Sequence, residues 1–205
     1  MKNPISFEEK LSWLKLNTYY KNPLVSQCAD KYAVREYIKS CKCEEILNQL
    51  YGVYDSVDEI PWEQLPNKFA LKWNMGCGCN IICENKKELN IEEAKKKLRK
   101  WGKTKYYLSH SEMQYKFIKP KLVCEKYLET NQGAVPFDYK IYCFNGVPKA
   151  ILVMIDRGKE TKGFFMSPKW EFISYVNKYK KAETIPERPA SLDTMIETAS
   201  KLSKP

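Results

Sequence analysis

The spacing of apolar residues along the chain, together with capping residues, predicts five helices. Ser6-Phe7-Glu8-Glu9 fits a capping box, so a short helix should follow Ser6. Asp30, Asn90 and Ser191 can cap three more, and a further helix is predicted from about Glu44 to Leu50. The apolar positions of the capped helices recur at helical spacing. They are Phe7, Leu11, Leu14, Val34, Tyr37, Ile38, Ile91, Ala94, Leu98, Trp101, Leu192, Met195, Ile196, Ala199 and Leu202.

Continuous apolar runs predict strands in the middle and the second half of the chain. The runs are the one that begins at Phe69, Lys121–Leu128, Asp138–Phe144 and Val147–Ile155. Asn145-Gly146 joins the last two runs, and this dipeptide between apolar segments is a strong hairpin signal. Residues 158–189 are rich in Lys and Pro and are predicted to be irregular. Helices followed by a strand pair, a helix and more strands predict an α+β fold in two lobes.

Composition and charge narrow the classes of function. No apolar stretch approaches the ~20 residues of a membrane span, and the N-terminal residues lack the apolar core of a signal peptide, so the prediction is a cytoplasmic protein. The cysteine spacings do not fit the usual zinc pairs. A net charge of +10 favours anionic partners. The tyrosines are scattered through predicted core elements, which disfavours a nucleic-acid binder.

The segment from Phe69 to Cys83 carries the first candidate chemistry. An apolar run ends at Lys72, a loop containing Gly76 and Gly78 follows, and a second apolar run closes the unit. Glycines let backbone N–H groups approach phosphate oxygens, and lysine supplies a mobile charge. The pattern is not a P-loop, because Gly-Lys-Ser/Thr is absent. Taken alone, it is more typical of a strand, a glycine turn and a surface lysine than of a phosphate site.

Three stretches together resemble the TupA-like ATP-grasp family. They are Asp30-Lys31-Tyr32-Ala33-Val34-Arg35-Glu36-Tyr37-Ile38, Leu65-Pro66-Asn67-Lys68-Phe69-Ala70-Leu71-Lys72 and Asp138-Tyr139-Lys140-Ile141-Tyr142-Cys143-Phe144-Asn145-Gly146. The resemblance implies an ATP-grasp-like fold, with two α+β lobes that close on ATP. It divides the chain into an N-terminal helical segment (1–60), a glycine-loop lobe (61–125) and a hinge with a partial C-terminal lobe (126–205).

The resemblance also implies roles for individual residues. Lys31 and Lys72 would contact the phosphates, and the glycine loop would fold over them. Glu125 would begin the hinge between the lobes, where the backbone of Lys126 and Leu128 would pair with adenine. The remaining implied contacts come from Asp138 to the ribose, with Lys140 beside it, and from Arg157 as a catalytic cation. Singly, Lys31 could be an exposed helix residue, Glu125 a paired core carboxylate and Asp138 a turn cap.

The family pattern is not matched everywhere. Met75 and Cys77 stand where the family usually carries a histidine and a serine. The Mg²⁺ ligands are expected beyond Pro205, so no metal ligand is predicted within the chain, and the fold is expected to be C-terminally truncated.

The resemblance implies an ATP-dependent carboxylate–amine ligase of cell-surface polysaccharide biosynthesis, which activates a carboxylate as an acyl phosphate. Its partners would be a nucleotide, a sugar or peptide carboxylate of a surface polymer and the anionic inner face of the membrane. The alternative is a truncated homologue that binds a nucleotide or an anionic polymer without catalysis.

Overall fold

The protein is described here by a computed structural model that covers residues 3–109, 111–129, 136–155, 161–174 and 185–204. The chain divides into two compact units, Met1–Tyr127 and Leu128–Pro205. The helices are α1 (Phe7–Leu16), α2 (Pro23–Ala29), α3 (Val34–Ser40), α4 (Ile91–Gly102), α5 (Tyr106–Ser109) and α6 (Leu192–Leu202). The strands are β1 (Leu50–Tyr54), β2 (Phe69–Trp73), β3 (Asn80–Cys83), β4 (Leu122–Lys126), β5 (Asp138–Phe144), β6 (Val147–Ile155), β7 (Lys162–Met166) and β8 (Phe172–Ile173).

The first unit is built on a four-stranded antiparallel sheet in the order β1-β4-β2-β3. Successive residues of β2 face opposite sides, so Phe69, Leu71 and Trp73 enter the core while Lys72 faces the other side. Ala70 lies opposite Glu125 of β4 in the ladder, which puts Glu125 on the same side as Lys72. The sheet register therefore brings a lysine and a glutamate together.

Helix α4 covers the apolar face of this sheet. Asn90 caps the helix by accepting a hydrogen bond from the Glu93 N–H at 3.0 Å, and Ala94 and Leu98 are buried. The indole N–H of Trp73 donates to the Leu98 carbonyl at 3.0 Å, which fixes the end of α4 against β2. The lysines of α4 lie on its polar face, as the helical period requires.

The second unit is an antiparallel sheet in the order β5-β6-β7-β8, with α6 against one face. The core between them contains Ile151, Val153, Phe164, Met166 and Leu192. Asn145 and Gly146 both have positive φ, 50° and 79°, as expected for the tight turn of the β5–β6 hairpin.

The structure confirms several local predictions and overturns others. The Ser6 capping box, the Asn90 cap and the Asn145-Gly146 hairpin are present. The predicted helix Glu44–Leu50 is wrong: the segment makes a short 3₁₀ helix, Glu44–Ile46, and Leu50 already begins β1. The irregular segment 158–189 includes β7 and β8. None of the helices in the described ranges combines the length and apolarity of a membrane span.

Candidate functional site

The loop between β2 and β3 has a shape that depends on its two glycines. Gly76 and Gly78 have φ of 71° and 73°, which L residues with a side chain rarely adopt. A Cβ on Gly76 would lie 2.7 Å from the ring of Tyr106, whereas one on Gly78 would meet no atom within 4 Å. The ring of Tyr106 therefore packs directly against the loop at Gly76.

Tyr106 also bonds the loop through its hydroxyl group. The hydroxyl donates to the Cys77 carbonyl at 2.6 Å and lies 3.0 Å from Cys79 Sγ. The hydrogen bond with Cys79, followed by burial, raises the pKa of Tyr106 to about 12. The phenol therefore stays protonated at neutral pH and keeps donating to the loop.

Asn74, at the start of the loop, connects the sheet to the Asp30–Lys31 turn. This side chain is fully buried. Its Nδ2 donates to Asp30 Oδ2 at 2.9 Å and to the Lys119 carbonyl at 3.0 Å, and its Oδ1 accepts from the Lys121 N–H at 2.9 Å. Its backbone carbonyl accepts from the Lys31 N–H at 2.9 Å. A buried amide bonded in this way fixes the turn that carries Lys31.

Lys31 extends from this turn to the glycine loop. Its Nζ donates to the Gly76 carbonyl at 2.6 Å. Burial lowers the pKa of Lys31, and the charge of nearby Lys72 lowers it further. Two ammonium groups are thus held close enough to repel each other beside the same loop, which is an arrangement that an anion stabilises.

Glu125 holds Lys72 from the opposite side. Its side chain is 9% exposed; Oε2 lies 2.5 Å from Lys72 Nζ and Oε1 lies 3.2 Å from Arg35 Nη1. Arg35 Nη2 also donates to the Asn48 carbonyl at 2.8 Å. Both carboxylate oxygens are therefore paired, and Lys72 is held in a defined position. We call Lys31, Lys72, Arg35 and Glu125 the buried ionic cluster.

The structure brings four of the predicted site residues together in the first unit: Lys31, Lys72, Gly76 and Glu125. Lys126 ends β4, its N–H donates to the Gln49 carbonyl at 2.9 Å, and its carbonyl accepts from Asn48 Nδ2 at 2.8 Å. The roles assigned to these residues by resemblance stay predictions.

Gly78 lies in the same glycine loop as Gly76, and the remaining predicted residues lie elsewhere. Leu128 is an exposed residue at the start of the second unit. In that unit Asp138 and Lys140 pair with each other near the start of β5. Arg157 lies outside the described residues.

Sequence reasoning missed three residues that shape the site: Arg35, Asn74 and Tyr106. Arg35 lies within one of the motifs that carry the family resemblance, but its partner Glu125 is 90 positions away and no local pattern joins them. Asn74 offered a usable signal, because an asparagine side chain readily bonds backbone groups outside regular structure.

The described residues fit a polyphosphate better than they fit a metal ion. Lysine ammonium groups and the backbone of a glycine loop are donors suited to phosphate oxygens. Within the part of the chain that the structure describes, no group of three or more His, Cys, Asp or Glu side chains could hold a metal ion.

Comparison with known proteins gives one finding on the whole chain. The model of the TupA-like ATPgrasp family matches residues 9–205. Comparison with the curated proteins and with solved structures gives no match. The matched range contains the glycine loop and the buried ionic cluster.

Proposed function

The chain belongs to the TupA-like ATP-grasp family, and we propose that it binds the phosphates of ATP at the glycine loop through Lys31 and Lys72. The observation that carries this proposal is the convergence of two lysines on one loop with backbone in the left-handed region. A lysine has three donor hydrogens, so Lys72 can hold Glu125 and a phosphate oxygen at the same time. Lys31 can likewise keep its bond to Gly76.

Glu125 and Arg35 act as positioning residues in this proposal. Glu125 holds the Lys72 ammonium in place, and Arg35 compensates the second oxygen of the same carboxylate. A preorganised cation binds an anion better than a mobile one, because less side-chain freedom is lost on binding. The arrangement also occupies both oxygens of Glu125 with cations, so neither oxygen is left to face a phosphate.

The adenine and the ribose would be bound by the backbone and polar groups that the family resemblance implies. The N–H of Lys126 is already used by Gln49, but its carbonyl has a second lone pair that can accept from the adenine amino group. Leu128 would donate its backbone N–H to the same base. Asp138 would accept from a ribose hydroxyl, with Lys140 near it, and Arg157 would contact transferring phosphate.

The reaction we propose is carboxylate activation followed by amide formation. A carboxylate oxygen attacks the γ-phosphorus, the bond to the bridging oxygen breaks, and ADP leaves with the electron pair. An amine then attacks the acyl carbon, inorganic phosphate leaves, and the nitrogen loses a proton. Lys31 and Lys72 would neutralise charge on the phosphates during the first step.

We propose that the chain acts in the cytoplasm, in the biosynthesis of a cell-surface polysaccharide. The acceptor would be a sugar or peptide carboxylate of a surface polymer. A net charge of +10 would favour an anionic membrane face close to such a polymer. Trapping of an acyl phosphate with hydroxylamine, using uronate and peptide carboxylates in turn, tests the reaction and its acceptor.

Titration of ATP into matched variants tests the binding step. Lys31→Met and Lys72→Met should each weaken ATP binding by about tenfold or more, because each removes a charged hydrogen bond. Lys97→Met is the control, since it removes the same charge from an exposed position on α4. If both site variants bind ATP as well as the Lys97 variant does, the proposed phosphate site is wrong.

A further inference from the structure

A cavity of about 300 Å³ lies behind the glycine loop, between the end of α4 and residues 104–107 and 115–120. This volume is at the lower end of the range for small-molecule sites, about 300–1,000 Å³. Three lysines line it, Lys103, Lys105 and Lys116, and its described lining contains no Asp or Glu. We call it the tyrosine–lysine cavity.

The lining behind the lysines is apolar and aromatic. Met75 and Ile118 are buried residues of this lining. Tyr106 and Tyr115 pack edge to face, with ring centroids 6.5 Å apart and ring planes at 70°. Burial raises the pKa of Tyr115, so its hydroxyl is a neutral donor or acceptor at physiological pH.

Contacts between α4 and β2 hold one wall of the cavity in place. Gly102 lies in this wall, and a Cβ on it would be 2.6 Å from the ring of Trp73. The Trp73 indole bonds the Leu98 carbonyl one turn earlier in the same helix. A preformed cavity loses little freedom when it takes a ligand.

The charge balance of this cavity differs from that of the α4 surface beside it. On that surface Lys95 and Lys97 each lie within 2.7 Å of a glutamate oxygen, and Arg99 lies 2.5 Å from Asp58. The cavity lysines have no such carboxylate among the described lining residues. An excess of cations around a concave apolar surface favours a ligand that is itself anionic.

We propose that the tyrosine–lysine cavity binds a small organic oxyanion: a ring that carries a carboxylate or a phosphate ester. The ring lies against the tyrosines, and the oxyanion is held among Lys103, Lys105 and Lys116. This site is separate from the nucleotide proposal, because it uses neither Lys31 nor Lys72. It would serve an acceptor or an effector of the chain.

Tyr106 connects the cavity with the glycine loop. Its ring lines the cavity, while its hydroxyl donates to the Cys77 carbonyl and lies near Cys79 Sγ. A ligand that shifts this ring therefore also shifts the backbone around Gly76 and Gly78. Occupancy of the cavity is thus transmitted to the loop that carries the Lys31 contact.

The first probe is phenyl phosphate, whose binding is followed at low salt through the amide NMR signals of the protein. It should shift the signals of Lys103, Tyr107 and Lys116, and inorganic phosphate and benzyl alcohol should each bind at least about tenfold more weakly. Benzoate replaces the phosphate with a carboxylate, and glucose 6-phosphate replaces the apolar ring with a sugar ring. Their affinities therefore show which oxyanion and which ring the cavity prefers. Inorganic phosphate binding as tightly as phenyl phosphate would overturn the proposal, as would the absence of shifts at the cavity.

A charge-matched pair of variants tests the lysines. Lys103→Ala with Lys105→Ala should weaken phenyl phosphate binding by about tenfold, since two charged contacts are lost. Lys96→Ala with Lys100→Ala removes the same charge from exposed positions of α4 that do not line the cavity, and should change binding less than about twofold. Equal weakening in both pairs would overturn the proposal.

Two more variants separate the parts of the proposal. Tyr106→Phe keeps the ring but removes the hydroxyl that bonds the Cys77 carbonyl. Phenyl phosphate should therefore still shift the cavity signals, but it should shift the amide signal of Gly78 less than in the unmodified chain. An undiminished shift at Gly78 in this variant would overturn the connection through the Tyr106 hydroxyl. Lys72→Met should leave phenyl phosphate binding unchanged even where ATP binding is lost, which distinguishes this site from the nucleotide site.

Discussion

Lys72 and Lys97 each hold a glutamate oxygen at nearly the same distance, 2.5 Å from Glu125 and 2.6 Å from Glu93. Their surroundings differ greatly. The side chains of the first pair are 27% and 9% exposed, while those of the second are 52% and 55% exposed. Water screens the second pair and releases it at little cost, whereas the first pair has largely given up hydration.

The difference shows that the number of lysines in a segment says little about their function. The α4 lysines follow a helical period and lie on the polar face, where Lys95 and Lys97 meet glutamates of the same helix. The lysines of the buried ionic cluster come from distant parts of the chain. They are held in place by buried partners. Such an arrangement costs desolvation free energy and is often found at functional sites.

Removal of the Glu125 carboxylate should have the largest effect on stability. Glu125→Ala leaves the Arg35 guanidinium and the Lys72 ammonium without their shared partner at positions that are largely buried. Breaking a buried pair in this way costs about 3–5 kcal/mol in the free energy of unfolding, measured by urea denaturation. Glu93→Ala on α4 is the matched control and should cost far less, because water already screens that pair. A similar cost for both would contradict the distinction between the two groups of lysines.

The two loop glycines provide the next test, because they share a backbone conformation and differ in their surroundings. Gly78→Ala should cost about 1 kcal/mol, for a side chain placed at positive φ with open space around it. Gly76→Ala should cost a further 1–3 kcal/mol or so, because its Cβ would displace the Tyr106 ring. The difference between the two variants in thermal or urea unfolding measures how firmly Tyr106 holds the loop. Equal costs would mean that Tyr106 moves away freely.

The helix caps and the hairpin turn could be predicted from the sequence, because each depends only on residues close together in the chain. The Ser6 and Asn90 caps and the Asn145-Gly146 turn each depend on a few adjacent residues. Strand β1 escaped prediction because Leu-Tyr-Gly-Val-Tyr shows no alternation of apolar and polar residues and contains Gly52. All five residues are only partly buried in the structure. Its position depends on pairing with β4, about 70 residues further along.

The candidate site was predictable only in part, for the same reason. Lys72 and its glycine loop are adjacent in the chain, and the resemblance added Lys31. The pairing of Glu125 with Arg35 and Lys72 depends on the register of β2 against β4 and on the placement of α3. No spacing along the chain reveals that register. The tyrosine–lysine cavity likewise forms only when the end of α4 and residues 104–107 and 115–120 come together.

The pH dependence of ATP binding tests whether Lys31 is electrostatically unlike a surface lysine. Its pKa in the folded protein is lowered by burial and by Lys72. As pH rises through that value, Lys31 loses its charge, so ATP affinity should fall by about tenfold. This fall should occur at a lower pH than the one at which ordinary lysines titrate. Lys31→Arg should keep its affinity over this range, since arginine stays charged. Phosphate groups are already ionised above about pH 7, so they do not contribute to the change.

The same shift has the opposite effect on stability. Between the folded pKa of Lys31 and its unfolded value near 10.5, the unfolded chain binds more protons than the folded one. The contribution of Lys31 to stability therefore rises with pH over this range and levels off above it. Subtracting the pH profile of Lys31→Met from that of the unmodified chain isolates this contribution. A flat difference, or ATP affinity that is as pH-dependent in Lys31→Arg, would contradict the shift.

The smallest expected effect belongs to the Lys97–Glu93 pair, and it is the sharpest check on the comparison. A double-mutant cycle with Lys97→Ala and Glu93→Ala should give only a small coupling at low salt, as for other exposed pairs one helical turn apart. This coupling should nearly vanish at about 1 M salt, where the screening length is about 3 Å. A cycle on Lys72 and Glu125 should retain most of its larger coupling under the same conditions, because little solvent reaches that pair. If salt reduced both couplings in proportion, the two pairs would share one environment, and the reason for singling out Lys72 as a preorganised phosphate ligand would be lost.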